Sequence, residues 1–322
     1  MARRRSAVSR PPALSADDDA RAAARRVLAF HLAAFEREAS TARAGDVEAV
    51  HQIRVATRRL RATLRLFAPM LPASIVGTVA EGLSWLGRGI GGVRDLDVLA
   101  LAIAASGRRL GDDARAALGP LEHDVLERRG VALAELARIL DTPQCRRLLA
   151  RLTQLTVSRP AARGAVRLGD VAADLVRPLL RAGQRAGRDL DEETPAVGLH
   201  RLRVRVKRLR YACETLAALA GDDMRPALRR MVRLQDLLGE HQDAVTQAAW
   251  LRAYAGSAQL PPATLLSTGA LVDRLDRHAR KLRARVPRVW RRFDRGRIRR
   301  TLGESLRATR TPRTRNHRRT PS

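Results

Sequence analysis

Two histidines, each heading a row of cations, are the residues in this chain best suited to chemistry. His51 is followed by Arg54, Arg58, Arg61 and Arg65, and His200 by Arg203, Lys207 and Arg210. Steps of three and four residues put each set on one face of a helix, because successive residues turn by about 100°. Cations one turn apart, about 5–6 Å, suit an extended polyanion. The imidazole heading each row could donate a hydrogen bond while neutral, or add a charge at lower pH. It could also serve phosphoryl transfer, so a phosphohydrolase or phosphotransferase acting through His51 or His200 is a second reading.

The two rows are copies of one stretch. Val50–Phe67, VHQIRVATRRLRATLRLF, aligns without a gap to Leu199–Leu216, LHRLRVRVKRLRYACETL. His51/His200, Arg54/Arg203, Val55/Val204, Arg59/Arg208, Leu60/Leu209 and Arg61/Arg210 are identical. A repeat of this length implies a duplicated bundle rather than a short solenoid unit. Behind the cations runs an apolar stripe, Ile53, Leu60, Leu64 and Phe67 in the first copy and Leu202, Leu209, Cys213 and Leu216 in the second. Each helix thus has a core side and a cationic side. A charged side is ordinarily just solvated. Here the first copy lacks the acidic partners that usually relieve like charge at i,i+4, and the arrangement occurs twice.

A second feature is duplicated at nearly the same offset. Gly91-Gly92-Val93-Arg94-Asp95 resembles Gly239-Glu240-His241-Gln242-Asp243. Asp95 and Asp243 are expected to orient arginines of the rows, with Arg94 and His241 as further supporting positions. Asp95 and Asp97 could in principle share a metal, but two residues apart on a helix they point about 200° apart. The segment Gly87–Gly92, GRGIGG, lacks Walker spacing and a preceding strand, so it reads as a bend or a close helix contact.

The elements that must position these residues read as helices throughout, an all-α fold. Ser15 is expected to cap a first helix running to about Arg43, with Asp17, Asp18 and Asp19 in its first turn. Ala44-Gly45-Asp46 turns the chain and caps the first basic helix, and Pro69 and Pro72 bracket the following break. Helices are expected over Ile75–Arg88, after the segment Val93–Val98 to about Ser106, over Asp112–Leu140 and over Pro143–Thr156. The second half begins near Asp170–Arg188. After the acidic loop Asp189–Glu193 come the second basic helix, a long helix through Met231–Tyr254 with an irregularity at Gly239, and a last helix from Pro261-Pro262 to about Arg285, interrupted at Pro287. The expected organisation is a basic disordered segment (1–15), a first bundle (16–156), a linker (157–169), a second bundle (170–293) and a basic disordered tail (294–322).

Composition bounds what such a molecule can bind. Net charge is +29 and the predicted pI about 11.8, an excess that implies a polyanionic partner. Lys207 and Lys281 are the only lysines; every other basic residue bar histidine is Arg, which suits bidentate phosphate contacts. Codon bias in a GC-rich genome accounts for most surface Arg, but not for two repeated rows. Aromatic content is 3%, too little for a base-stacking platform. Cys145 and Cys213 are expected to be core thiols in a reducing compartment. No apolar run of about 18 residues and no signal peptide is present, which leads to the expectation of a soluble cytoplasmic protein without a membrane partner. His31, His123 and His278 stand singly on expected helices and read as structural or surface residues.

The motifs HQIRVATRRLRATLRLF with GGVRDLDVL, and HRLRVRVKRLRYACE with LQDLLGEHQDAV, resemble the CHAD family, the conserved histidine α-helical domain. The resemblance spans about Asp17–Phe293, with all four motifs in order. It implies two four-helix-type bundles related by pseudo-twofold symmetry around a basic channel. It also implies binding of inorganic polyphosphate, often on polyphosphate granules, without a cofactor. The implied ligand residues are His51, Arg54, Arg58, Arg61 and Arg65, with His200, Arg203, Lys207 and Arg210. Glu214 stands where the repeat would place a counterpart of Arg65, which puts the end of the second row in question. Some members of the family carry an N-terminal triphosphate-processing CYTH domain; the roughly sixteen residues before the first helix lead to the expectation that it is absent here. Weak, sequence-independent contact with nucleic acid is the third reading, since the charge permits it.

Overall fold

The computed structural model describes residues 12–157, 165–294 and Glu304. Most of the expected N-terminal basic segment, the centre of the expected linker and nearly all of the expected basic tail lie outside the described residues. Within them the chain is helical, with no strand beyond one isolated bridge between Asp19 and Arg167. No described helix is long and apolar enough to cross a membrane.

Helix α1 spans Ala20–Arg43 and α2 Val47–Leu66. The cap of α1 is Asp19, not Ser15: its side chain accepts from Ala22 N at 2.8 Å. Asp17 and Asp18 stand outside the helix instead. Asp18 pairs with Arg26, Asp17 pairs with Arg167, and the backbone here bonds to the stretch around Arg167, Leu168 N to Asp18 O at 2.8 Å. Long-range pairing thus overrides the local helix signal. The next turn forms as the residues dictate. Gly45 takes a left-handed φ of 90°, which glycine adopts without strain, and Asp46 accepts from Ala49 N at 2.7 Å. A short 3₁₀ turn, Ala68–Met70, fills the expected break.

α3 runs unbroken over Ala73–Leu110, so the expected bend at Gly87–Gly92 is absent. The glycines act as close-contact positions instead. A Cβ on Gly89 would lie 2.5 Å from Ile139 Cδ1 of α5, and Cβ atoms on Gly87 and Gly91 would touch Arg61 and Arg54. Packing on both sides outweighs their low helix propensity. Next come α4 (Asp112–Ala117) and α5 (Gly119–Asp141), split at Leu118 rather than continuous, and α6 (Pro143–Thr156), capped by Thr142.

The second half contains α7 (Leu168–Gly187), α8 (Ala196–Thr215), the single turn α9 (Ala217–Ala220), α10 (Met224–Ser257) and α11 (Pro262–Phe293). α10 passes Gly239 without irregularity, and α11 continues through Pro287. A proline inside a helix costs about 3 kcal/mol. The last turns of α11 offset it by burying Val286, Pro287, Trp290 and Phe293.

Packing follows the apolar stripes. α2 lies between α1 and α3, α3 packs on α5, and α6 closes against α1 and α3. α8 lies between α7 and α10, and α10 packs along α11. Ile53, Leu60, Leu64, Phe67, Leu202, Leu209, Cys213 and Leu216 are all buried, as their spacing requires. Besides the pairing of the residues before α1 with the start of α7, two further junctions join the halves. α2 meets α8 directly. Farther out, Leu99, Ile103, Leu118, Leu121 and Val125 share an apolar cluster with Leu251, Tyr254 and Leu271. Both cysteines are free and buried.

Candidate polyanion-binding site

The contact of α2 with α8 brings the two cationic rows together. The sides of the helices not spent on the core face a cavity of about 470 Å³, closed by α7. Arg58, Arg61, Arg65, Lys207 and Arg208 line it, with apolar walls from Leu66, Leu175, Leu179 and Val204. Asp174 of α7 is the acidic residue in its lining and pairs with Arg177 at 2.8 Å. Among the described residues no carboxylate forms an ion pair with any of the five cations.

Burial and mutual repulsion work against these charges. Burial lowers the pKa of Arg58. Arg61 is lowered by burial, then by Arg208 and Arg88; Arg65 by burial, then by Arg61; Arg208 by burial, then by Arg65 and Arg205. Lys207 is brought down to about 8, by burial first and then by Arg203, Arg58, Arg54 and Arg61. Lysine yields most because an ammonium deprotonates where a guanidinium does not. A cluster of desolvated, unpaired cations is a site whose electrostatic cost an anion relieves.

At one end of the rows Asp95, the first of the duplicated aspartates, holds a row arginine, and Asp243 lies close by. Arg54 Nη1 donates to Asp95 Oδ1 at 3.0 Å and to the carbonyl of Gly91 at 3.3 Å. Asp243 is raised above the usual carboxylate range, first by desolvation and then by Asp95, against the pull of Arg203, Arg54 and Arg94. The two aspartates, Arg54, Arg203 and Arg94 therefore share one neighbourhood. Asp97 belongs elsewhere: it is buried and accepts from Arg129 Nε of α5 at 2.6 Å, so Asp95 and Asp97 do not converge.

The histidines flank this end in different states. His51 is half-buried and lowered from its ordinary value by burial and by Arg94, despite the nearby Glu48. His200 is exposed, and its Nδ1 lies 2.8 Å from Gln242 Oε1. His241 is buried in α10, lowered by desolvation and then by Arg283 of α11, and is not part of the cavity lining. Away from the site, His31 is held at about 4 by burial and by Arg59, so it is neutral.

The other end of the second row turns inward. Tyr211 is buried, and the guanidinium groups of Arg59, Arg210 and Arg58 lie 4.4, 5.1 and 5.3 Å from its ring centroid. Arg59 pairs with Glu214 across the seam, and Arg210 pairs with the same carboxylate at 3.3 Å. Arg210 is thus tied to Glu214 and Tyr211, whereas Arg208, which the row spacing leaves out, lines the cavity. Among the described residues, the buried Tyr211 hydroxyl and the Nε atoms of Arg58 and Arg210 have no hydrogen-bond partner. Tyr211 had a signal in the sequence: it is one of two tyrosines and falls directly after a cationic row.

Comparison with known proteins supports this architecture. The chain is 29% identical over 269 residues to the uncharacterized proteins MT2285 and Rv2226 of Mycobacterium tuberculosis, strains CDC 1551 and H37Rv. The match takes in 78% of this chain and 49% of each relative, so the chain spans about half the length of the curated relatives it matches. Its fold is similar to the crystal structure of the CHAD domain from the plant Ricinus communis, with a TM-score of 0.71 and 26% identity over 86% of this chain and 94% of that one. It is also similar in fold to PptA from Streptomyces chartreusis, with a TM-score of 0.69 and 19% identity over 85% and 98% of the two chains. The family model of the CHAD domain matches residues 26–252, and the chain belongs to the CHAD domain family.

Proposed function

We propose that the seam between α2 and α8 binds inorganic polyphosphate, as a binding module rather than an enzyme. One observation carries the reading: five cations from two helices line one cavity without carboxylate partners among the described residues, each desolvated or repelled by its neighbours. Polyphosphate has about one negative charge per phosphate and no bases. It asks for closely spaced cations and no stacking surface. Arg58, Arg61 and Arg65 follow one another at one-turn intervals, and the ring of Tyr211 is already covered by three guanidinium groups. Arg54 and Arg203, with His51 and His200 beyond them, extend the cationic track past the cavity. The CHAD resemblance supports the same ligand, and with it residence on cytoplasmic polyphosphate granules.

The test is calorimetric titration of the full chain with long-chain polyphosphate at physiological salt, in competition with duplex DNA. Saturable binding that excess DNA does not displace, with no phosphate released, is the expected result. Equal affinity for DNA would reduce the site to generic electrostatics. Release of phosphate would restore the phosphohydrolase reading.

A further inference from the structure

The chain has two lysines in opposite settings. Lys281 is exposed on α11. Lys207 is half-buried and opens onto the cavity beside Arg58, Arg61, Arg65 and Arg208, with Arg203 and Arg54 also within electrostatic range. The cavity's acidic lining residue, Asp174, is engaged by Arg177. An amine held among guanidinium groups in a partly enclosed, partly apolar space meets two requirements at once. Its neutral, nucleophilic form is favoured, because the guanidinium groups around it oppose a further cation. The surrounding arginines attract phosphate to the same spot.

We propose that Lys207 is an acylation site for small acyl phosphates, which the cavity arginines draw in by the phosphate group. In the reaction the Nζ lone pair attacks the carbonyl carbon and a new N–C amide bond forms. The C–O bond to phosphate breaks, phosphate leaves with the electron pair, and the amine proton passes to it, giving hydrogen phosphate and Nε-acyl-lysine. No oxidant, reductant or metal enters the balance. The arginines that bind the phosphate also face the charge that builds on it as it leaves. Acylation removes one cation from the cavity, so it would lower affinity for the proposed ligand; that consequence rests on the polyphosphate reading, whereas the acylation rests on the cavity alone.

Lys281 serves as an internal control. The full chain is incubated with acetyl phosphate at pH 8 and low salt, and each lysine is followed by fragmentation of the intact chain in a mass spectrometer. Lys207 is expected to react about tenfold faster than Lys281 or more. With p-nitrophenyl acetate, which carries no phosphate, the preference should shrink several-fold. Equal rates at the two lysines, or the same preference with both donors, would overturn the proposal. Arg208→Gln, checked for unchanged helicity, should slow Lys207 and leave Lys281 as it was. Long-chain polyphosphate should protect Lys207. Selective acetylation that polyphosphate does not slow would retire the polyphosphate reading and leave the acylation site standing.

Discussion

Arg59 of α2 pairs with Glu214 of α8, and Glu214 stands at the position where the repeat would have placed a counterpart of Arg65. The departure from the repeat is thus the residue that ties the two basic helices together. It draws in Arg59 from one helix and Arg210 from the other, over the buried ring of Tyr211. Both partners of the cross-seam pair are about three-quarters buried, with side-chain exposures of 26% and 24%. Removing one member would leave the other charge poorly compensated. Glu214→Ala should therefore destabilise the protein by about 1–3 kcal/mol. Urea unfolding followed by circular dichroism checks this; an unchanged midpoint would show that the pair does not hold the seam. Polyphosphate affinity should not fall, because the substitution removes a negative charge near the cavity.

The unpaired cations of the cavity should matter more for binding than those already engaged. Arg54 is shared with Asp95 and Gly91, whereas Arg58 and Arg208 have no carboxylate partner among the described residues. Replacing Arg58 and Arg208 together by Gln should weaken polyphosphate binding about tenfold or more, and should reduce the slope of log affinity against log salt by about one per cation removed. The pair Arg54→Gln and Arg203→Gln should have a smaller effect. The reverse order in a salt-dependent titration would place the principal contacts at the aspartate end.

Lys207 links stability to pH with a definite sign. Its pKa is about 8 in the folded chain and near its ordinary value of about 10.4 when unfolded. Between those values the unfolded chain holds more protons, so stability rises with pH across that window. Below about pH 8 the folded protein carries the full penalty, at most about 3 kcal/mol. Lys207→Met should raise the unfolding midpoint at pH 7 and flatten the rise between pH 8 and 10. Parallel curves for the two proteins would mean that Lys207 is not repelled as described. Polyphosphate binding should weaken over the same window, since the free site loses a cation there.

Gly187 closes α7 against α11. A Cβ there would collide with the indole of Trp290, which is itself buried beside Phe293 at a centroid distance of 5.3 Å. A packed indole has little room to yield, so Gly187→Ala should cost about 1–3 kcal/mol by overpacking. Thermal unfolding measures it. A neutral result would show that the last turns of α11 shift freely, and that the continuity of the helix through Pro287 does not depend on this contact.

Much of this architecture was legible in the chain. The apolar stripes of α2 and α8, the turn at Gly45-Asp46 and the all-α class follow from period and capping chemistry, which are local. The misreadings share one cause. Ser15 as a cap, an irregularity at Gly239 and an interruption at Pro287 each follow from local propensity, whereas Gly87–Gly92, read as a bend or a close helix contact, is the close contact. Two are overridden by a distant partner or by burial, Arg167 for the Asp17–Asp19 run and the buried turn around Trp290 for Pro287, while α10 simply continues through Gly239.

The sequence by itself determined which residues share a helix face, because that depends only on a 3.6-residue period. It therefore named two cationic rows and the aspartates that accompany them. Only the tertiary structure decided that Arg58, Arg61 and Arg65 of one row share a cavity with Lys207 of the other, that Arg208 and Tyr211 line it too, and that Arg59 reaches across to Glu214. The physical reason is that those relations join residues roughly 150 positions apart. Their distances, desolvation and mutual repulsion exist only once α2 has packed on α8.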